Sequence, residues 1–589
     1  MKFWKVVLAG LVALIIFSIL TVFIFATVLS SSKSSAKIAK NSVLELTFEK
    51  PIAERSTDNP LSGASLLGGR LGSSKNGLND YVKCIRMAAV DKRIKGIYLN
   101  LNDGVQAGWA TLEAIRKELL DFKKSGKFIY AYSEGYSEKD YYLASTADKI
   151  FLHPEGDFEL DGLNITIAFY KGLTEKLGIE VVPIRHGKFK SAVEPYLRKD
   201  MSPENKMMTR EFLSDIWENF LENIAKSRNI SKEELWNIAN SMGIRKAKDA
   251  LEKKLVDALV YEDEVTQELR KKLGLKEKDE VKKVSFGTYS GVKPSSVGIK
   301  EKGKDKIAIV YCVGEISSGE GDDERIGSET TASAIREARL DDRVKAVVLR
   351  VNSPGGDALA SDVIWREVVL TKKVKPVIVS MGDVAASGGY YISCAANKIF
   401  AEPNTITGSI GVFGLIPNFQ KLYNEKLGIF YDGVKIGEFS DIGATYRAMT
   451  EQEKNIIQEQ VDRVYETFIT RVAEGRGITK AEVDSIGQGR VWSGEDAVKI
   501  KLVDQIGGLA DAIKEAEKLA KLTKGNYKIV EYPEQVSFIE RIINKGRGKK
   551  EDIVKAEIAK EIGIYNAIRT IKQAQKRVQA RMLYDYVIE

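Results

Sequence analysis

Cysteine and histidine are nearly absent from this 589-residue chain. There are three cysteines (Cys84, Cys312, Cys394) and two histidines (His153, His186). The cysteines lie far apart, which excludes a disulfide scaffold and any Cys-x-x-Cys zinc or redox site. Two histidines exclude a multi-histidine metal centre and leave histidine-based catalysis few candidates. No metal and no cofactor is expected. Proline is scarce at 12, and the 49 glycines follow no collagen-like period. Charge of one sign is also lacking: 90 basic against 82 acidic residues leave +8. The stretch 541–581 holds 12 Lys/Arg and 4 Asp/Glu, a surplus of eight that equals the whole net charge. The body is therefore close to neutral. The basic tail reads as a solvated helix face, and no nucleic-acid partner is expected.

Long apolar runs are missing too, with one exception. Val6 to Leu29 has 24 residues and no charge. As a helix it would span about 36 Å, enough to cross a bilayer with some tilt. A cleavable signal peptide has a shorter apolar region and a small-residue cleavage site, so an uncleaved anchor is the better reading. Lys2, Lys5 and the terminal amine favour an inside amino terminus, while Lys33, Lys37 and Lys40 on the other flank oppose it. Everything else is ordinary globular composition, 44% hydrophobic and 29% charged.

The body is one unit written twice. Asp91-Lys-Arg-Ile-Lys-Gly-Ile97 resembles Asp341-Asp-Arg-Val-Lys-Ala-Val347. Tyr141-Tyr-Leu-Ala-Ser-Thr-Ala-Asp-Lys-Ile150 resembles Tyr390-Tyr-Ile-Ser-Cys-Ala-Ala-Asn-Lys-Ile399. Gly187-Lys-Phe-Lys-Ser191 resembles Gly437-Glu-Phe-Ser-Asp441, and Ala250-Leu-Glu-Lys-Lys-Leu-Val-Asp257 resembles Ala497-Val-Lys-Ile-Lys-Leu-Val-Asp504. Four matches in one order at nearly one offset imply two homologous domains. The expected layout is a stub at 1–5, the anchor at 6–29 and a linker at 30–41. Beyond them come a first repeat at 42–290, a second at 291–530 and a basic tail at 531–589.

Within each repeat, element types alternate. Ile307–Tyr311, Ala346–Val351 and Val377–Ser380 are short β-branched runs of strand length. Thr331–Leu340 and Ser361–Leu370 carry helical spacing, a helix is expected after Ser387, and Thr450–Glu474 reads as a long amphipathic helix. Strand–helix alternation predicts an α/β fold, a parallel sheet with βα crossovers, duplicated in tandem.

Two glycine turns carry the chemistry: Asn352-Ser-Pro-Gly-Gly356 after one strand and Ala385-Ala-Ser-Gly-Gly-Tyr390 after the next. Such turns expose backbone N–H groups that can hold an oxyanion. Either alone fits a tight turn with a capping serine, but two in consecutive βα turns favour catalysis. Ser387, at the start of a helix, is the candidate nucleophile. It needs a base. Asp383 reads as a turn residue, and His153 has no supporting context. The repeat supplies a further candidate. Glu138 stands at the position of Ser387 in the first copy, while Lys190 there matches Ser440 in the second. Each copy thus holds one half of a Ser–Lys pair. The bland reading makes Lys190 one of 90 surface cations, and His186 and Lys188 are local competitors for the base role. A lysine base must be neutral, which requires burial away from water.

At these residues the chain resembles the long form of the signal peptide peptidase A family of membrane-bound bacterial Ser–Lys proteases. The resemblance rests on Phe189-Lys-Ser-Ala-Val-Glu-Pro-Tyr196 with Asp200-Met-Ser-Pro-Glu204, Asn352–Gly356, Val384–Tyr390 and Thr407-Gly-Ser-Ile-Gly411. It implies Ser387 as nucleophile, Lys190 as general base and Ser409 as the hydroxyl that orients the lysine amine. Gly388 and the Gly355-Gly356 turn would supply oxyanion N–H groups. It also implies a Clp/crotonase-like fold and a homotetramer at the outer, periplasmic face of the bacterial inner membrane. The substrates would be spent, apolar signal peptides. Two rivals share features of the sequence: a crotonase-like acyl-CoA enzyme and a non-catalytic membrane scaffold.

Overall fold

The computed structural model describes residues 38–56, 76–299, 303–534 and 579–581. The anchor read at 6–29 and most of the basic tail lie outside the described residues. Among the described residues, no helix is long and apolar enough to cross a membrane.

The fold is α/β with parallel sheets. The first half builds a six-stranded sheet in the order Ala258–Leu259, Lys149–Phe158, Phe128–Tyr136, Ile94–Asn100, Ser42–Leu46, Lys283–Ser285. Every pairing in it is parallel. The second half repeats the theme with Val377–Ala386, Val344–Ser353, Lys306–Val313 and Lys528–Tyr532 side by side and parallel. These central strands are apolar almost without interruption because both faces are covered. Ala308, Val310 and Cys312 face one core with the helices Ser328–Leu340 and Ala358–Lys372. Ile307 and Ile309 face another with Ala512 and Ala516 of the helix Leu509–Leu519.

The principal helices repeat in pairs. Leu78–Val90 matches Ser328–Leu340, and Trp109–Lys123 matches Ala358–Lys372. The long helices Pro203–Arg228 and Glu451–Arg476 have 26 residues each. The second starts at Thr450, whose side chain takes the Glu453 N–H while the Glu453 carboxylate takes the Thr450 N–H. It stops at Gly477, whose φ of 67° suits glycine.

A third sheet joins the two halves. Its order is Arg325–Gly327, Glu315–Ser317, Gly355–Asp357, Gln579–Arg581, Val412–Asn418, Glu180–His186. Glu180–His186 thus leaves the first half's sheet and pairs antiparallel with Val412–Asn418 over seven residues, from Val412 opposite His186 to Asn418 opposite Glu180. This crossing carries Lys190 to Ser387.

Candidate active site

Ser387 follows the strand Val377–Ala386 and precedes the short helix Gly388–Ser393. Its φ of 55° and ψ of −115° are unusual for a residue with a side chain. The turn is locked on both sides: Ser387 N–H donates to Gly408 O at 2.8 Å, and Tyr391 N–H donates to Ser387 O at 2.9 Å. The side chain is fully buried.

Lys190 comes from the loop after Glu180–His186 and is buried as well. Its Nζ lies 3.0 Å from Ser387 Oγ, 3.0 Å from Ser409 Oγ and 3.3 Å from Ser409 O. A neutral amine has two N–H donors and one lone pair. The two Ser409 oxygens accept the donors, and the lone pair is left for the Ser387 hydroxyl. Ser409 holds its pose through its N–H to Arg490 O at 2.7 Å and its hydroxyl toward Gly489 O at 3.4 Å. Burial lowers the Lys190 pKa to about 7, with no carboxylate offsetting it.

The lysine segment is cradled by Gly411 of the motif at 407–411 and by Gln488 and Gly489, which sequence reasoning missed. Phe189 N–H donates to Gln488 O at 3.0 Å. A Cβ at Gly489 would lie 2.6 Å from Lys190 N, and one at Gly411 would lie 3.2 Å from Lys190 Cδ. Glu194, buried behind the lysine, accepts from Ser202 N–H and Oγ at 3.1 and 2.5 Å and from Asn205 Nδ2 at 3.0 Å. That network ties the Lys190 loop to the start of the helix Pro203–Arg228. The Gly-Gln-Gly-Arg run at 487–490 and the polar spacing Glu194–Ser202–Asn205 were the available signals.

The competing bases are engaged elsewhere. His186 Nδ1 lies 2.8 Å from Asp462 Oδ1, and its ring stacks on Tyr465 at 3.9 Å. His153 meets Tyr261 edge-on at 5.0 Å. Lys188 Nζ stands over the Phe189 ring. Asp383, expected in a turn, sits inside the strand Val377–Ala386 and accepts both the N–H and the hydroxyl of Thr111. In the first copy, Glu138 occupies the place of Ser387 and accepts the N–H groups of Asp161 and Gly162 at 3.0 and 3.4 Å.

The glycine turn lies beside the serine. Gly388 opens the helix, where an N–H has no carbonyl four residues back. A Cβ at Gly356 would lie 2.0 Å from Ile316 O, and one at Gly389 would lie 2.7 Å from Ser353 O. Gly355 has φ 97°, and its N–H donates to Ser353 Oγ at 3.1 Å. Gly355 is therefore a turn-former whose donor is already engaged. Between the edges Gly355–Asp357 and Val412–Asn418 runs the segment Gln579–Arg581, antiparallel to both. The site's edges accept an extended chain by backbone pairing.

The pattern of peptidase family S49 matches residues 121–276 and 370–523, once in each half. "Protease 4" of Salmonella typhi is 39% identical over 509 residues, 84% of this chain and 81% of that protein. "Serine protease SPPA, chloroplastic" of Arabidopsis thaliana is 37% identical, covering 82% of this chain and 70% of that protein. "Protease 4" of Haemophilus influenzae is 36% identical, covering 83% and 81%. With its pattern present twice and relatives aligned over most of their length, the chain belongs to peptidase family S49.

Proposed function

We propose that the chain is a membrane-anchored serine endopeptidase whose Ser–Lys pair is divided between two homologous, Clp/crotonase-like halves. The observation that carries this is the buried contact of Lys190 Nζ with Ser387 Oγ at 3.0 Å. Neutral Lys190 takes the Ser387 proton as Oγ attacks the peptide carbonyl. N–H groups of Gly388 and Gly356 stabilise the tetrahedral oxyanion. The lysine ammonium gives its proton to the leaving amine, the C–N bond breaks and an acyl-enzyme remains. Lys190 then takes a proton from water, hydroxide adds to the ester carbonyl, and the proton returns to Ser387 as the acid leaves. Ser409 keeps the amine aimed throughout.

The antiparallel seat between Gly355–Asp357 and Val412–Asn418 supports a peptide over an acyl-CoA substrate, because it reads backbone. Apolar signal peptides left in the bilayer suit an enzyme tethered by residues 6–29 to the bacterial inner membrane. Lys2 and Lys5 support an outer, periplasmic position for the body.

The partner is a further copy of the chain, in a homotetramer. Glu180–His186 and Val412–Asn418 pair within one chain. By the repeat offsets, their counterparts are 430–436 and 163–169. Neither forms a strand among the described residues. Val434 and Ile436 are 94% and 98% exposed. Along 163–169 exposure alternates residue by residue, the pattern of an edge awaiting a partner. Pairing 430–436 of one copy with 163–169 of the next repeats the internal junction between molecules, and a closed ring of such contacts is a cyclic oligomer.

The test is hydrolysis of an apolar signal-sequence peptide by the full chain in detergent. Wild type cleaves, and Ser387→Ala and Lys190→Ala each lose nearly all of the rate. Wild-type rates in either variant would refute that residue's role.

A further inference from the structure

The strand that leads into Ser387 is irregular. Val351 pairs with Met381 and Ser353 with Ala385, so Asn352 alone stands opposite Gly382, Asp383 and Val384. These surplus residues form a bulge, and a bulge bends its strand and re-aims the residues beyond it. Here the residue re-aimed is the nucleophile, three positions past Val384.

The first half holds this bulge at two points. Asp383 Oδ1 accepts the Thr111 N–H at 2.8 Å, and Oδ2 accepts the Thr111 hydroxyl at 2.7 Å. Thr111 is the third residue of the helix Trp109–Lys123, whose N-cap residue Gly108 has no side chain to offer. Asp383 caps that helix from 272 residues away in sequence. Gly108 leaves room for it: a Cβ there would lie 2.2 Å from Asp383 Cγ.

Glu54 is the second point. Its Oε2 accepts from Arg350 Nε at 2.8 Å, and its Oε1 accepts from Arg350 Nη2 at 3.1 Å and Asn352 Nδ2 at 3.0 Å. Asn352 Oδ1 in turn accepts the Val384 N–H at 3.1 Å. Arg350 Nη1 donates to Ser380 Oγ and Met381 O, just ahead of the bulge. Glu54 and Arg350 are both buried, and a Cβ at Gly382 would lie 2.6 Å from Glu54 Oε1. Each residue of the bulge therefore touches Glu54, Thr111 or the Asn352 that Glu54 holds.

We propose that Asp383 and Glu54 are positioning residues, a clamp between the halves that sets the bulge and so aims Ser387 at Lys190. The proposal rests on the reading of Ser387 as nucleophile. By this account the first half contributes twice: it supplies the base, and it aligns the nucleophile. A group that only stabilises the fold would change the melting temperature and the amount of active enzyme. A positioning group changes turnover in the folded enzyme, where a displacement of about 1 Å costs roughly 100-fold.

The deciding experiment uses the full chain and a fluorogenic apolar peptide, with kcat, KM and thermal melting read on each variant. Asp383→Ala is expected to lower kcat about 100-fold, with KM within about twofold of wild type, and to lower Tm through the uncapped helix. Adding Gly108→Ser to Asp383→Ala supplies a local cap. The backbone at 108 is already extended, and the space beside it has been vacated. Tm should recover while kcat stays low. Recovery of kcat together with Tm would overturn the clamp, since helix stability alone would then explain Asp383. So would an unchanged kcat in Asp383→Ala. Should that variant not fold, Thr111→Val and Thr111→Ser decide. The valine loses the hydroxyl contact and several-fold in kcat, the serine retains both, and equal turnover in the two would overturn the proposal. Ser387→Ala run alongside separates the readings: a wild-type rate there removes the nucleophile assignment, whatever the clamp does.

Discussion

The two halves share a helix plan and differ in what they do with one segment. In the first half, residues 180–186 form a strand on the second half's Val412–Asn418, and the loop beyond it buries Lys190. In the second half, the matching stretch around 430–436 forms no strand and is exposed, and Ser440 stands where Lys190 would be. At the other site position the roles are reversed. Ser387 sits in a tight turn at φ 55°, while its counterpart Glu138 has relaxed into the first turn of a helix that Ser137 caps. A lysine becomes a base only where neighbours exclude water. The junction between the halves provides that exclusion, whereas the free segment does not.

The largest effect that probes this contrast is the loss of Lys190. Lys190→Met should lower kcat/KM by about 10³-fold or more and yet raise thermal stability. Keeping a buried amine whose pKa has fallen from 10.5 to about 7 costs roughly 4 kcal/mol at pH 7, and methionine fills the same channel without that cost. A lower Tm would show that the amine's hydrogen bonds outweigh its burial. Adding Ser440→Lys to Lys190→Met should restore nothing, because residue 440 is exposed. Any rescue, read by the same peptide assay, would break the comparison.

The same burial sets the pH dependence. Only neutral Lys190 is a base, so kcat/KM should rise with pH through about 7 and then level off. Stability also rises with pH, over a higher window. Between about 7 and 10.5 the unfolded chain holds a proton that the folded one has released, so folding stability gains from this group as pH rises across that window. Below about 7 both states carry the proton, and the penalty is constant. Ser409→Ala removes one acceptor for the amine and should cost about 10- to 100-fold in kcat while leaving a sigmoidal profile. A flat profile in wild type would remove the lysine from proton transfer.

The free segments sharpen the comparison at the level of assembly. Transferring the internal register places Leu163 opposite Ile436 and Ile165 opposite Val434 in neighbouring copies. Ile165→Cys with Val434→Cys should yield disulfide-linked oligomers on a denaturing gel, and Val434→Lys should shift the light-scattering mass toward the monomer. Peptide hydrolysis by Val434→Lys should fall less than in Ser409→Ala, because both members of the Ser–Lys pair lie within one chain. A full-size oligomer in Val434→Lys would remove this surface from the assembly.

Much of this was legible in the chain because it depends on local pattern. β-branched runs gave the strands, glycine pairs gave the turns, and a fixed offset gave the duplication. The offset also singled out Lys190, since it set that lysine opposite Ser440 in the other copy. What was hidden depends on partners hundreds of residues away. Asp383 looks like a turn residue until Thr111 is brought beneath it, and a capping aspartate normally caps its own helix. Gly355 looks like an oxyanion donor until Ser353 Oγ takes its N–H. No periodicity marks a strand that leaves its own sheet for another, so the third sheet could be found only in three dimensions.

The smallest predicted effect concerns Glu138. If the first half had merely mislaid a serine, Glu138→Ser would recreate a second nucleophile. The repeat argues otherwise, because the counterpart of Lys190 in the other copy is Ser440, an exposed residue with no basic group. The Glu138 carboxylate is buried and spans the N–H groups of Asp161 and Gly162. A serine is too short to take over both bonds, but Asp161 is exposed and Gly162 half-buried, so water replaces part of what is lost and the net cost is about 1 kcal/mol. Glu138→Ser should therefore lower the denaturation midpoint slightly and leave kcat/KM within about twofold of wild type, an effect near the roughly 1 kcal/mol scale of ordinary substitutions. In Ser387→Ala the same change should return no activity. Recovery there would mean that the first half retains a working base of its own, and the division of labour between the halves would have to be redrawn.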